Sequence, residues 1–142
     1  MVWSITPSTG ATTELLKSPV IQDDIHLLVV LRSIEANPLR ARMVTNPADY
    51  RWSSYQRHGM GHDDPLLSPF PEWEDLGQTE AERRKRWRAK VRAVQDEPEL
   101  DTVRRSLRSG RPFGAVDWTD RIAGRLGIDL NPRPRGRPRR EK

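Results

Sequence analysis

The tightest constraint on this chain lies between residues 23 and 41, where a strongly apolar helical pattern runs into an Asn-Pro step. Ile25, Leu28, Leu31 and Ile34 recur at helical spacing, and Asp23 or Asp24 supplies a carboxylate able to cap the helix in front of them. Pro38 disfavours the α region for Asn37, so the helix is expected to stop there. Leu39 to Val44 has room for one or two further helical turns before Asn46-Pro47.

Downstream, three more helices are legible from their caps and periodicity. Thr79-Glu80-Ala81-Glu82 is a capping box that opens a helix expected to reach about Gln95, with Trp87, Val91 and Val94 on one face. Pro98 starts a second helix in which Leu100, Val103 and Leu107 align, and Gly110 stops it. A third runs from Asp117 with Trp118, Ile122 and Leu126 on a stripe and ends at Gly127. Gly59 and Gly61 interrupt any helix around them, and residues 63 to 69 read as a loop. The fold class expected is therefore mainly α, built of short amphipathic helices with a thin core, because 35% of residues are hydrophobic, 32% are charged and there are 12 prolines. Tyr50, Trp52 and Tyr55 are the aromatic area that such a core would use.

Charge is distributed unevenly. The formal net charge is +5, yet the last ten residues hold six basic groups and one acid, which leaves 19 of each sign in the other 132 residues. Basicity is thus a property of the tail. The absence of cysteine excludes disulfides, Cys-ligated zinc and thiol catalysis, and fits a reducing compartment. With no charged-then-apolar leader pattern, and Leu27 to Leu31 as the longest apolar run, the expectation is a cytoplasmic protein with no membrane partner.

The segment Leu31-Arg32-Ser33-Ile34-Glu35-Ala36-Asn37-Pro38-Leu39-Arg40-Ala41 resembles the "R-Y-I-E-x-N-P-[LV]-[RK]-A" stretch of the REP-associated tyrosine transposases, a branch of the HUH-type single-tyrosine insertion-sequence transposases. Further similarity lies in the lead-in from Ser18 to Leu28, in Asp49-Tyr50-Arg51-Trp52-Ser53-Ser54, in Asp64-Pro65-Leu66-Leu67 and in Gly110-Arg111-Pro112-Phe113-Gly114. The resemblance runs from residue 18 to the C-terminus and corresponds to the back part of a family member. It divides the chain into an unmatched leader (1–17), a nucleophile-helix region (18–70), a C-terminal helical region (71–130) and a basic tail (131–142). By this likeness the chain is the C-terminal helical part of an α/β ferredoxin-like transposase domain without its sheet, followed by a disordered basic tail. Leu28, Leu31 and Ile34 would then lack the sheet that normally receives them.

In that family a tyrosine attacks single-stranded DNA while a divalent metal such as magnesium or manganese, held by a His-hydrophobic-His pair, polarises the phosphate. Ser33 stands at the expected nucleophile position, and no His-x-His occurs, the histidines being His26, His58 and His62. A phenol with a pKa of ~10 yields its anion far more readily than an aliphatic alcohol. Ser33 is accordingly read as a helix-surface residue, with no catalytic residue and no cofactor expected in this chain. Tyr50 and Tyr55 are the other phenols, and both lie beyond the Asn-Pro step on a different element. His58 and His62 are read as loop histidines, with no metal site expected.

Two stretches speak for DNA. Arg83, Arg84, Lys85, Arg86, Arg88, Lys90 and Arg92 crowd one helix, where a nucleic-acid face and an ordinary solvated face are both open. The tail is more specific, since Arg133, Arg135, Gly136, Arg137, Pro138, Arg139 and Arg140 contain the Arg-Gly-Arg-Pro core of an AT-hook. Gly136 lets the backbone sit deep in a narrow groove, the prolines keep the chain extended, and Arg135 and Arg137 lie along an A·T groove floor of enhanced negative potential. A nonspecific basic tail is the alternative, and it too would attract phosphate. The expectation is a transposase-derived, truncated, catalytically inactive DNA-binding protein whose partner is DNA, with A·T-rich duplex preferred. Its alternatives are an active single-strand DNA transposase completed by another chain, where the family's composite sites would call for a homodimer, and a non-functional gene remnant.

Overall fold

The structure is a computed structural model that describes residues 18–131. The described residues form six helices, α1 (Asp24–Glu35), α2 (Asn37–Arg40), α3 (Tyr55–His58), α4 (Glu80–Arg92), α5 (Glu97–Ser109) and α6 (Val116–Leu126), with 3-10 turns at Pro47–Asp49 and Pro71–Leu76. Among the described residues the one β feature is an isolated parallel bridge between Ile21 and Phe113. The mainly helical class is therefore what forms. No helix among the described residues is long and apolar enough to cross a membrane.

Asp23, in extended backbone, is the N-cap of α1: its carboxylate accepts from the His26 N–H at 3.0 Å and lies 2.6 Å from His26 Nδ1. That backbone bond first, and then the His26 ring, hold the Asp23 carboxyl below its ordinary value. A depressed carboxyl contributes stability that is complete above the ordinary pKa and is lost as pH falls through the lower, folded value. Acidification below the ordinary carboxyl range should therefore fray the first turn of α1 before the rest, measurable as faster amide exchange at His26 than at Leu31.

The Asn-Pro step does not hold Asn37 out of a helix. α1 is closed one residue earlier, by Ala36, and α2 starts on Asn37 with Pro38 in its first turn, where the missing N–H needs no partner. Arg40 N–H to Ala36 O (3.0 Å) and Ala41 N–H to Asn37 O (2.8 Å) complete the turn, and their formation outweighs the preference against a helical residue before proline.

The core gathers Ala36, Tyr55, Phe70, Trp73, Leu76, Trp87 and Val91, with Leu28, Leu31 and Ala48 packed against it. Leu28 and Leu31 thus have partners, whereas Ile34 is 53% exposed and Ile25 is exposed too. The buried stripe of α1 continues from Leu28 and Leu31 to Glu35, at spacings of three and four. Of the expected aromatics Tyr55 is fully buried, Tyr50 is half-buried, and Trp52 is exposed under the Arg51 guanidinium at 4.1 Å.

α4 begins as predicted, with Thr79 Oγ1 accepting from Glu82 N–H, although Glu82 bonds back to Gln78 N–H instead of Thr79. It ends at Arg92, short of Gln95, because Ala93 turns extended, and so Val94 is 97% exposed instead of lying beside Trp87 and Val91. Arg32 from α1 accounts for this end, donating from Nε to Lys90 O at 2.7 Å and from Nη2 to Ala93 O and Val94 O at 3.1 and 3.3 Å. In α5 Leu100 and Val103 are buried as expected, but Ser106 and not Leu107 takes the next inward position, its hydroxyl donating to Arg111 O at 2.6 Å. Gly110 and Gly127 close α5 and α6 in left-handed conformation, at φ 73° and 65°. On α6 Ala123 is the buried residue, Trp118 and Ile122 are half-buried and Leu126 is exposed. The segment after α5 is tied to the start of the described chain by Gln22 N–H to Phe113 O (3.0 Å), Phe113 N–H to Val20 O (2.8 Å) and Ala115 N–H to Gln22 Oε1 (2.7 Å).

Candidate functional site

At the centre of the core sits a carboxylate. Glu35, fully buried, accepts from Ser54 Oγ and His58 Nδ1 at 2.6 Å each on one oxygen and from Trp87 Nε1 at 2.7 Å on the other. One acid on α1 thereby fixes the loop before α3, the end of α3 and the middle of α4. A carboxylate only accepts, so His58 carries a hydrogen on Nδ1 and presents Nε2 away from Glu35. The His58 ring meets Phe70 edge-on at 5.1 Å and lies near Trp73 and Trp87 at 5.8 and 6.1 Å. His58 is therefore a buried helical residue and not a loop histidine, whereas His62 is exposed.

Ser33 is not on the helix surface either. It is 9% exposed, because Arg40 folds back over it, donating from Nη2 to Ser33 O at 2.6 Å and to Ser33 Oγ at 3.2 Å. Burial, followed by the like charge of Arg104, lowers the Arg40 guanidinium from its ordinary value. Arg40 Nη1 reaches Gln95 Oε1 at 3.3 Å, so the space beside Ser33 is filled by the junction between α4 and α5. Tyr55 is equally unsuited to attack a phosphate. Burial pushes its phenol above the ordinary value, outweighing the nearby charges of Arg92 and Arg88, and its hydroxyl has no hydrogen-bond partner among the described residues.

Among the described residues no group of three or more His, Asp or Glu converges as a metal site. His26 is engaged by Asp23 and His58 by Glu35, so the donor set does not fit the divalent ion that the family resemblance implies.

The basic run of α4 mostly serves the fold. Arg83 donates to Gly77 O at 2.8 Å, Arg88 to Gly59 O at 2.7 Å and Arg92 to Asn46 Oδ1 at 3.0 Å, while Arg83 and Arg84 both flank Glu80. Lys85, Arg86 and Lys90 stay exposed. The tail residues Arg133, Arg135, Gly136, Arg137, Pro138, Arg139 and Arg140 lie outside the described residues, as does the leader 1–17.

Sequence reasoning missed the Glu35 centre. Its signal was an acid standing where the Leu28-Leu31 stripe continues, and its helical neighbour Arg32 does not pair it because that guanidinium is spent on the end of α4. No family model matches this chain, and no curated protein or solved structure matches it.

Proposed function

We propose that this chain is a DNA-binding protein of transposase descent, catalytically inactive, whose contact with DNA is made by the C-terminal tail. The observation that carries the reading is the Arg135-Gly136-Arg137-Pro138 core, set in a stretch that holds all of the net positive charge. The rest of the chain carries as many acidic as basic side chains, and on α4 Glu80 flanks Arg83 and Arg84, which leaves the tail as the main source of attraction for phosphate. The helical body is read as the counterpart of the helical part of a ferredoxin-like transposase domain. A buried carboxylate with three matched donors supports a chain kept under selection to fold, in preference to a decayed remnant.

Inactivity rests on Ser33. Its hydroxyl is buried and held by Arg40, and an aliphatic alcohol is a poor source of an attacking anion. Incubation with single-stranded hairpin DNA and magnesium or manganese should give no protein-DNA adduct on a denaturing gel. An adduct abolished by Ser33→Ala would overturn this.

Groove recognition is tested by keeping charge and changing shape. Arginine offers a flat guanidinium and lysine a compact ammonium, so Arg135→Lys with Arg137→Lys should preserve the salt dependence of binding while removing the preference for A·T-rich over G·C-rich duplex. Fluorescence anisotropy on the two duplexes measures both quantities. Equal affinity of the unaltered chain for both duplexes would contradict the reading.

A further inference from the structure

An open groove runs between α5 and α6, and the described residues end in it. Its wall includes Arg105, Arg111, Pro112, Asp120, Leu130 and Asn131. The tail therefore starts from this groove. Arg135 is four residues beyond Asn131, and four residues of chain span at most about 14 Å. A DNA minor groove, about 6 Å wide, is bounded on both sides by sugar-phosphate backbone. A duplex held in its minor groove by Arg135 and Arg137 thus comes against the body at the root of the tail, and what it meets there depends on the charge of that surface.

That charge follows from the order of residues in and after α5. Its acids Glu97, Glu99 and Asp101 stand in its first half, and between Thr102 and Val116 there is no acid, while Arg104, Arg105, Arg108 and Arg111 follow one another. Arg104 is taken by Glu97 at 2.7 Å and Asp101 at 3.1 Å. Arg105 is exposed, rests its Nε on the Asp101 carbonyl at 3.4 Å and pairs with no carboxylate among the described residues. Arg108 stands three residues on, on the same side of the helix, and is exposed too. Arg111 is half-buried, its carbonyl held by Ser106 Oγ at 2.6 Å. The helix dipole accounts for a cation in the last turn of α5, which Arg108 is, but not for Arg105 ahead of that turn. Among the described residues Asp120 is the one acid in the groove wall, and it is exposed.

We propose that this ridge, Arg105 with Arg108 and Arg111, grips backbone phosphates of the same duplex whose minor groove the tail enters. The proposal rests on the reading of the tail as the DNA-binding element, and adds to it a contact made by the folded body. Guanidinium groups donate to phosphate oxygens in a fixed fork, and such contacts position a duplex without reading its sequence. Because so little chain separates Asn131 from Arg135, the body cannot stand clear of the duplex, and an acidic surface at this point would oppose the tail. Arg105 and Arg111 outnumber Asp120 in the wall, so the wall attracts phosphate, and Asp120 is the charge that limits the attraction.

The test uses the full chain on A·T-rich and G·C-rich duplexes, by fluorescence anisotropy at several salt concentrations. Arg105→Gln with Arg108→Gln should weaken binding at least about fivefold at moderate salt, to the same degree on both duplexes. It should also flatten the fall of log K with log salt by about 1 to 2, each phosphate contact contributing ~0.9. Asp120→Asn, which removes the opposing charge from the wall, should tighten binding about twofold. Lys85→Gln with Arg86→Gln takes the same charge from α4, outside the groove wall, and should change affinity less than about twofold. All five side chains are exposed, so none of these changes empties the core. Weakening by the α5 pair no greater than by the α4 pair, or no gain from Asp120→Asn, overturns the proposal and leaves the tail reading standing. Equal affinity of the full chain and of a chain lacking residues 131 to 142 sinks the tail reading, and the proposal with it.

Discussion

Glu35→Ala should destabilise the protein by about 3–5 kcal/mol, because it leaves three donors in the core without their acceptor. The effect is large because the loss does not stop at one side chain. Ser54 Oγ, His58 Nδ1 and Trp87 Nε1 would all lose their acceptor inside the core, and each buried orphan costs about 1–3 kcal/mol unless the structure relaxes toward water. A domain of this size has a total stability of roughly 5–15 kcal/mol, so the variant stands near its unfolding threshold. Glu35→Gln separates charge from shape. It keeps one acceptor oxygen, but its amide N–H groups point at a donor wherever they are placed, so its cost should fall between that of Ala and none. Urea unfolding followed by tryptophan fluorescence measures both variants. A midpoint for Glu35→Ala within about 1 kcal/mol of the parent would mean that the carboxylate does not organise the core, and would undo the present account of how α1, α3 and α4 are joined.

How far the fold was legible depended on what kind of signal each element carries. α4, α5 and α6 announce themselves because their ends are local chemistry: the Thr79 cap, the left-handed Gly110 and Gly127, and apolar residues at three- and four-residue spacing. The end of α4 was misplaced by three residues because it is set from outside the helix, by Arg32 of α1 on the last carbonyls. α3 and the Pro71–Leu76 turn are too short to show a period, yet they deliver Tyr55, His58, Trp73 and Leu76 to the core. The assignment of Ile34 to the buried face and of Ser33 to the surface shares one cause. Hydrophobicity was used to choose the inward side of α1, and the inward side is completed by Glu35 and Ser33, whose polarity is satisfied by residues distant in the chain. The tail contacts proposed for DNA rest by contrast on sequence alone, on six basic groups among ten residues and the Arg-Gly-Arg-Pro core, and they lie outside the described residues.

Tail charge also fixes the form that DNA binding should take. With about four to six cations displacing counterions, log K should fall with log salt at a slope of roughly −4 to −5, each contact contributing ~0.9. Arg135→Ala with Arg137→Ala removes two of those contacts and should flatten the slope by about 2. The most direct measurement compares the full chain with one lacking residues 131 to 142 on an A·T-rich duplex, by fluorescence anisotropy at moderate salt. The deletion is expected to weaken binding at least about tenfold, some 1.4 kcal/mol, and to leave a shallow salt dependence. Unchanged affinity after the deletion would contradict the tail as the DNA-binding element and transfer that role to the exposed Lys85, Arg86 and Lys90 of α4.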